Sequence, residues 1–538
     1  MRIAIAQLPF TVGALDDNTS RILDTIGRAR EEFEADLVIF PELAVTGYPP
    51  DDLLLRGDFL AAVERALAQI AQACVGITAV VGAPLRRDGG VRNAAVVLAD
   101  GAEVGVAYKR CLPSYSVFDD NRHFLAGTAP CVLTIRGRRV GVTICEDVWA
   151  PEPAAEAVAA GAELVLSVNA SPFHEGKPAE RERVAAQRAA ETGVPLLYVN
   201  LVGGHDEVVY DGGSFLVEPA GGVPVRAPAF TDGLYAVDWQ EGDCRGPQAE
   251  RAEGVASVYQ AVVRATGDYV RGNGFSGVVL GLSGGIDSAL TATVAADALG
   301  SEQVLAVMMP TRYTAERSLE DARTVAQMLG VAYRTIPIES LFDGYEQALA
   351  PAFAGCAADA TEENIQARIR GNCLMALSNK LGLMLLAAGN KSELAVGYAT
   401  LYGDMCGGFA PLKDVYKTDV YRLAAYRNRC GPAVPQSVLE REPTAELRAN
   451  QRDQDSLPPY PVLDALLRQY LEEEAAEEEI EVVGLEPEEL CRVIRLLYRN
   501  EYKRRQAAPG VKITRRAFGR DRRYPITSGW SGCQGCTR

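Results

Sequence analysis

The stretch VVLGLSGGIDSALTATVAADAL, Val278 to Leu299, reads as three elements in succession. VVLGL is a short, continuous apolar run, the pattern of a strand buried on both faces. SGGIDS is a glycine-rich turn, and the apolar ALTATVAADAL that follows is long enough to be a helix. That order matters, because a helix start presents unpaired N–H groups to an anion held in the preceding turn. Gly284 and Gly285 let the backbone turn tightly, while Ser283 and Ser288 offer hydroxyls. Asp287 stands where it can help hold magnesium, and the Lys of the GxxxxGK[ST] loop is missing. A pyrophosphate fits this cradle, whereas a plain strand-to-helix turn leaves the serines and the aspartate without a purpose.

The neighbouring sequence extends the pattern. Upstream, Val255, Val258, Val262 and Ala265 recur at helical spacing and stop at Asn273-Gly274. Downstream, VLAVMMP, ERSLEDARTVAQML and VAYRTIPI alternate as strand, helix and strand, predicting a Rossmann-like, doubly wound parallel sheet. This domain is placed over residues 255–527. The polar, glycine-bearing QEGDCRGPQAERAEG before it predicts a linker over 241–254. Residues 1–240 alternate apolar strands with an amphipathic helix through Ile22, Ile26 and Ala29, and add two hairpins, at Asp100-Gly101 and around Gly137. A sheet-rich α/β sandwich is expected there. The acidic run Glu472 to Glu481 reads as a solvated helix face or mobile surface segment.

Whole-chain properties narrow the function. At 538 residues the chain exceeds one ordinary core, and 48% hydrophobic content lets all of it fold, so two or more domains are expected. No run of about 18 apolar residues spans a membrane. MRIAIAQLPF enters a strand directly, without a secretory leader, and a cytoplasmic location is expected. The 12 cysteines are dispersed, as in a reduced compartment. A net charge of −17 argues against nucleic-acid binding. His123, His174 and His205 show no metal-ligand spacing, so zinc is not expected, nor is haem or flavin. The final SGWSGCQGCTR, 528–538, carries Cys533-x-x-Cys536, half of a zinc site, and reads as a disordered tail.

Three polar residues follow apolar strands in the first 240 residues: Glu42 in VIFPEL, Lys109 in VAYKR and Cys145 in VGVTICEDVW. A cysteine at a strand end is more often packing than catalysis. A thiol of pKa about 8.5 also needs a base or a cation before it becomes a nucleophile, and Glu42 and Lys109 supply one of each.

PELAVTGYPPDDLL, KRCLPSYSVFDDNRHF, ICEDVW and NASPFHEGK together resemble the nitrilase-type glutaminase domain attached to bacterial NAD synthetases. The resemblance implies an αββα sandwich, with Glu42 as general base, Cys145 as nucleophile and Lys109 as the cation that stabilises the oxyanion. It places Tyr115, Ser171 and Lys177 against glutamine. The family carries Glu where this chain has Asp120, and Tyr where it has His123. Asp120 is therefore either a secondary acid beside the triad or a solvated loop carboxylate.

SGGIDS resembles the loop of the N-type ATP pyrophosphatases. ENIQARIRGNCLMALSN, AAGNKSELAVGYATLYGDMCGGFAPLKDVYKT and EYKRRQAAPGVKITRRAFGRDRRYPI resemble NAD synthetase itself. By that resemblance Gly281, Leu282, Ser283, Gly284, Gly285, Ile286, Asp287 and Ser288 bind ATP, with Ala388 where the family has Thr. Asn364, Glu393 and Lys503 contact deamido-NAD, Lys503 heading a basic cluster with Arg504 and Arg505 that reads as an anion contact or as a solvated helix face. The implied enzyme is a glutamine-dependent NAD synthetase using ATP and Mg2+, with small-molecule substrates, an enclosed passage for ammonia and a homo-oligomeric assembly. The alternative is an ammonia-dependent synthetase whose amidase domain is impaired or only a scaffold.

Overall fold

The computed structural model describes residues 1–240, 243–448 and 451–530. The chain divides into two compact units, Met1–Gly254 and Val255–Arg538. Among the described residues no helix is long and apolar enough to cross a membrane.

In the first unit the strands are β1 (Arg2–Gln7), β2 (Leu37–Ile39), β3 (Thr78–Arg87), β4 (Gly90–Ala99), β5 (Ala102–Tyr108), β6 (Cys131–Ile135), β7 (Arg138–Ile144), β8 (Leu164–Asn169), β9 (Leu196–Asn200), β10 (Val202–His205), β11 (Val208–Asp211), β12 (Phe215–Val217), β13 (Val225–Arg226), β14 (Gly233–Gln240) and β15 (Asp243–Arg245). Its helices are α1 (Leu15–Glu31), α2 (Gly57–Ala73), α3 (Pro151–Ala159) and α4 (Lys177–Thr192). One sheet runs β15-β14-β1-β2-β3-β4-β5 and the other β13-β12-β9-β8-β7-β6, while β10 and β11 form a separate hairpin.

Strand periodicity assigns the layers. On β1, Ile3 and Ile5 enter a core shared with Leu164, Leu166 and Val168 of β8, which lies between the two sheets. The alternate residues Ala4 and Ala6 face the cluster built with Ile22 and Ile26 of α1 and Val63 and Ile70 of α2. Val165 on the other face of β8 packs with Val184 and Ala185 of α4. The result is four layers, α/β/β/α, in which both faces of each sheet are buried. The expected hairpins form β4–β5 and β6–β7, with Asp100 and Gly101 at φ 47° and 83°, and Arg136 and Gly137 at 49° and 79°. Successive positive φ angles of this kind match the right-handed twist of the strands they join.

Part of the expected linker is not a linker. Asp243–Arg245 pairs with β14 as an edge strand, and Arg251 reaches Glu182 on α4 at 3.0 Å. Residues 241 and 242 lie outside the described residues.

The second unit opens with α5 (Gly254–Gly272), followed by β16 (Val278–Gly281), α6 (Ile286–Leu299), β17 (Val304–Met308), α7 (Glu316–Leu329), β18 (Ala332–Thr335), α8 (Glu339–Leu349), α9 (Ala360–Leu381), β19 (Met384–Leu386), α10 (Lys391–Val396), α11 (Lys417–Arg429), α12 (Gln436–Leu439), α13 (Tyr460–Leu471), α14 (Pro487–Arg499) and α15 (Glu501–Arg504). The sheet is parallel and ordered β18-β17-β16-β19, so the winding reverses beside β16. A ligand crevice in such a sheet lies beyond the strand C-termini at that reversal, and the SGGIDS loop leaves β16 there. Nearly all of α6 is buried, which accounts for its apolar sequence on every side.

Of the two expectations for the acidic run, the helix face is not found. The run forms no continuous helix: Glu477–Glu479 is a single 3₁₀ turn, and Glu472 pairs at 3.4 Å with the fully buried Lys391. Cys533 and Cys536 of the expected tail lie outside the described residues.

One close approach shapes the first unit. A Cβ placed on Gly82 of β3 would lie 2.3 Å from both the Leu43 nitrogen and the Pro41 oxygen, so the chain segment carrying Glu42 rests directly on that glycine. Both obstacles are backbone, and neither can turn aside as a side chain could. Gly82→Ala is expected to destabilise the first unit by about 1–3 kcal/mol, read as an earlier urea transition, whereas an unchanged midpoint would show that the segment yields freely.

Candidate active sites

Glu42, Lys109 and Cys145 reach a common point from three strand ends. Glu42 follows β2, Lys109 follows β5 of the same sheet, and Cys145 follows β7 of the facing sheet. All are buried, at 1%, 0% and 2% exposure. The Lys109 ammonium donates to Glu42 Oε1 at 2.8 Å and to Asp120 Oδ2 at 2.6 Å. Asn93 Nδ2 donates to the same Glu42 oxygen at 2.7 Å, and the Ala170 N–H donates to Oε2 at 3.0 Å. The Glu42 carboxylate is thus oriented by three donors from three elements.

Cys145 has a left-handed φ of 48° and opens a 3₁₀ turn, Cys145–Val148. A non-glycine residue in that region is strained and needs its surroundings to hold it. Asp147 does so: Oδ2 accepts from the Ile144 N–H at 3.0 Å, while Oδ1 accepts from the Arg110 and Cys111 N–H groups at 2.9 and 2.8 Å. One buried carboxylate therefore ties the cysteine turn to the segment that carries Lys109.

The electrostatics follow from burial and these pairings. Burial opposes the charge on Lys109, but Glu42 and Asp120 overcome it and hold the ammonium well above its ordinary pKa. Burial pushes the Cys145 thiol well up; Glu42 adds to this and Lys109 opposes it. Burial also raises Asp120, against the pull of Lys109. At neutral pH the cysteine is a protonated thiol beside an ammonium and a carboxylate, an arrangement in which the carboxylate can take the proton as sulfur attacks.

Asp120 is not a solvated loop carboxylate. Only 5% exposed, it accepts from Lys109 and, at 3.2 Å, from the Tyr48 hydroxyl. His123 turns to Asp52, with Nε2 2.9 Å from Oδ1. Tyr115 donates to both Glu146 oxygens at 2.9 and 3.0 Å, and Lys177 lies 3.8 Å from the centre of the Trp149 ring while reaching Glu180 at 3.1 Å. Ser171 follows β8 and Ala170, and its hydroxyl accepts from Arg181 Nε at 3.0 Å. Sequence reading missed Asn93, Tyr48, Asp147 and Glu146; the EDVW that follows Cys145 was the available signal for the last two.

In the second unit the glycine-rich loop closes on itself. Ser288 Oγ accepts from the Ser283 N–H at 3.2 Å and donates to the Gly285 carbonyl at 3.0 Å, and the Gly285 N–H donates to Ser283 Oγ at 3.3 Å. Gly284 turns at φ 84°, as a tight turn requires, and its Cβ would also sit 2.3 Å from the Ser318 oxygen of α7. Ala388 is half-buried just beyond β19, the strand paired with β16, at the same end of the sheet.

Asp287 accepts from Asn390 Nδ2 at 2.9 Å and from Lys417 Nζ at 2.5 Å; Lys417 also donates to Glu393 Oε1 at 3.0 Å. Burial raises the Glu393 carboxyl, Lys417 lowers it, and Asp287 raises it further. Asn364 Oδ1 accepts from the Thr400 hydroxyl at 2.8 Å, and Lys503 donates to the Gly397 and Ala399 carbonyls at 2.8 and 2.9 Å. Asn364, Glu393 and Lys503 thus gather around α10 and the turn after it. The two arginines of the basic cluster have a partner within the chain. Arg504 and Arg505 both bind Glu501, at 2.9 and 3.0 Å, and Arg522 joins them at 2.9 Å. Among the described residues no three His, Cys, Asp or Glu side chains gather to hold a metal by protein ligands alone.

Known proteins match both units. The carbon-nitrogen hydrolase family model matches residues 2–246, and the NAD synthase model matches residues 258–507. The glutamine-dependent NAD(+) synthetase of Xanthomonas campestris pv. campestris is 52% identical, over 99% of this chain and 98% of that protein. The protein of the same name from Thermotoga maritima is 43% identical over 98% of each. A solved glutamine-dependent NAD+ synthetase from Acinetobacter baumannii, in complex with adenosine diphosphate, has a TM-score of 0.80 and 44% identity over 99% of both chains. With this identity running the full length of the chain and the two family models accounting for its two units, the chain belongs to the glutamine-dependent NAD(+) synthetases.

Proposed function

We propose that Cys145 attacks the side-chain amide of glutamine while Glu42 takes its proton, and that the Lys109 ammonium stabilises the oxyanion that develops. Glu42 returns the proton to the amide nitrogen, and the adduct collapses to a thioester and ammonia. Water, deprotonated by Glu42, then cleaves the thioester to glutamate and the free thiol. The observation that carries this reading is the Lys109 ammonium clasped between Glu42 and Asp120 at 2.8 and 2.6 Å in a buried pocket. A fixed cation in such a place stabilises developing charge without having to reorganise. Tyr115, Ser171 and Lys177 frame the rest of glutamine, with Glu146 beside Tyr115 suited to its α-ammonium group.

The chain is a ligase of the C–N bond-forming class with glutamine as amide donor, as its family is. We place ATP on Gly281 to Ser288 and Ala388, and deamido-NAD near Asn364, Glu393 and Lys503. The nicotinate carboxylate attacks the α-phosphorus and expels pyrophosphate, and ammonia then displaces AMP to leave the amide of NAD. Mg2+ suits this site: the ion needs only one or two protein carboxylates, and Asp287, with Glu393 beside it, would hold it. When bound, the ion neutralises charge on the phosphates. Lys417, now joined to both carboxylates, is placed to keep them apart and oriented.

The alternative of a scaffold-only amidase rested on Asp120 and His123. The shorter Asp120 still reaches Lys109, and His123 lies against Asp52, away from the triad.

Three outcomes are expected. Cys145→Ala should lower glutamine-supported NAD formation at least about a thousandfold and leave ammonium-supported formation intact; equal loss of both would overturn the division of labour. Asp287→Ala should reduce synthesis more than about a hundredfold from either nitrogen source, and persistent synthesis would show that ATP binds elsewhere. Alkylation of Cys145 by iodoacetamide, followed by mass spectrometry, should keep accelerating with pH to beyond about pH 9, because burial and Glu42 hold the thiol in its protonated form; a plateau near neutrality would contradict that electrostatic account.

A further inference from the structure

Arg181 lies one turn after Lys177 on α4, is 3% exposed, and directs most of its guanidinium at the turn that follows β8. Nε donates to Ser171 Oγ at 3.0 Å, and Nη2 donates to the Ser171 and Pro172 carbonyls, both at 2.8 Å. Nη1 pairs with Asp211 at 2.6 Å, and Asp211 is 2% exposed. Asn200 completes the grip: its Oδ1 accepts from the Ser171 N–H at 2.9 Å and its Nδ2 donates to the Ser171 carbonyl at 3.3 Å. A buried cation with four directed bonds is far more than α4 needs to pack on its sheet.

The chemistry of the donors decides what the arrangement does. A guanidinium has no acceptor, so Arg181 can only donate to Ser171 Oγ, and it thereby fills one lone pair of that oxygen. The Ser171 proton is turned away from Arg181, with the Tyr198 hydroxyl as the side-chain acceptor it can reach when no substrate is bound. We propose that Arg181, held by Asp211, is a positioning residue that sets the direction of the Ser171 hydroxyl, so that Ser171 donates to an acceptor oxygen of bound glutamine. The inference rests on the reading that Ser171 touches glutamine. It assigns glutamine affinity to a residue that makes no contact with substrate, and it explains why a fork is required: a lysine could not reach the hydroxyl, the two carbonyls and the carboxylate together.

The test is the steady-state KM and kcat for glutamine in Arg181→Lys, Ser171→Ala and the double variant, with ammonium-supported NAD formation measured on the same samples. Arg181→Lys should raise the glutamine KM about tenfold or more, change kcat less, and leave ammonium-supported synthesis intact. In the Ser171→Ala background the same change should add less than about twofold, because the group it positions is gone. An unchanged KM in Arg181→Lys, or an undiminished effect in the Ser171→Ala background, would overturn the proposal. If Ser171→Ala alone leaves the glutamine KM unchanged, the underlying reading of Ser171 fails, and the proposal with it. Should Arg181→Lys not fold, Asp211→Asn keeps the guanidinium while freeing it to rotate, and its KM carries the same comparison.

Discussion

A single buried ammonium organises the first unit. Lys109 is wholly removed from solvent, a position that would ordinarily drive a lysine to its neutral form. It stays charged because Glu42 and Asp120 sit within hydrogen-bond distance, and each carboxylate stays buried because Lys109 is there. Removing Lys109 leaves two uncompensated carboxylates in an apolar interior, a far larger cost than the loss of a surface ion pair. The turn on Gly82, the Asn93 and Ala170 donors and the Asp147 clamp all bring these three groups together at the correct separation.

The second unit meets a similar demand with the same arrangement of signs. There, Asp287 and Glu393 are the paired carboxylates and Lys417 is the shared cation. The cluster stands at the mouth of a parallel sheet, beside a loop whose Ser283 and Gly285 N–H groups are bonded to its own serine hydroxyls. In both units, ionic groups far apart in the chain are made neighbours by strand and helix ends, where directed polar groups can converge without interrupting a ladder.

Much of this was legible in the sequence, for identifiable reasons. Strands buried on both faces show as unbroken apolar runs, and hairpins whose turns need positive φ show as Asp-Gly or Arg-Gly. Glu42, Lys109 and Cys145 stood out because each is a polar residue immediately after such a run. Asp147 and Arg181 did not, because a charged residue that binds backbone looks in sequence like one that faces water. Lys417 was hidden because its partner Asp287 is 130 residues away along the chain. The pair Arg504 and Arg505 was opaque for the complementary reason: charge counting cannot reveal that Glu501, two residues before Lys503, collects both of them and Arg522 as well. The 241–254 segment misled because a three-residue edge strand carries too little pattern to distinguish it from a loop.

The protonated state of Cys145 bears on how the enzyme survives between turnovers. Peroxide and related oxidants attack thiolates, and the sulfenic and sulfinic acids they form would end amidase activity. Nucleophilic cysteines held permanently as thiolates accept that exposure. Here the thiol is sealed at 2% exposure and loses its proton only as the reaction proceeds, so an idle site offers oxidants little to react with. The burial that holds the Cys145 thiol in its protonated form thus also keeps its sulfur from oxidants, which act on thiolates.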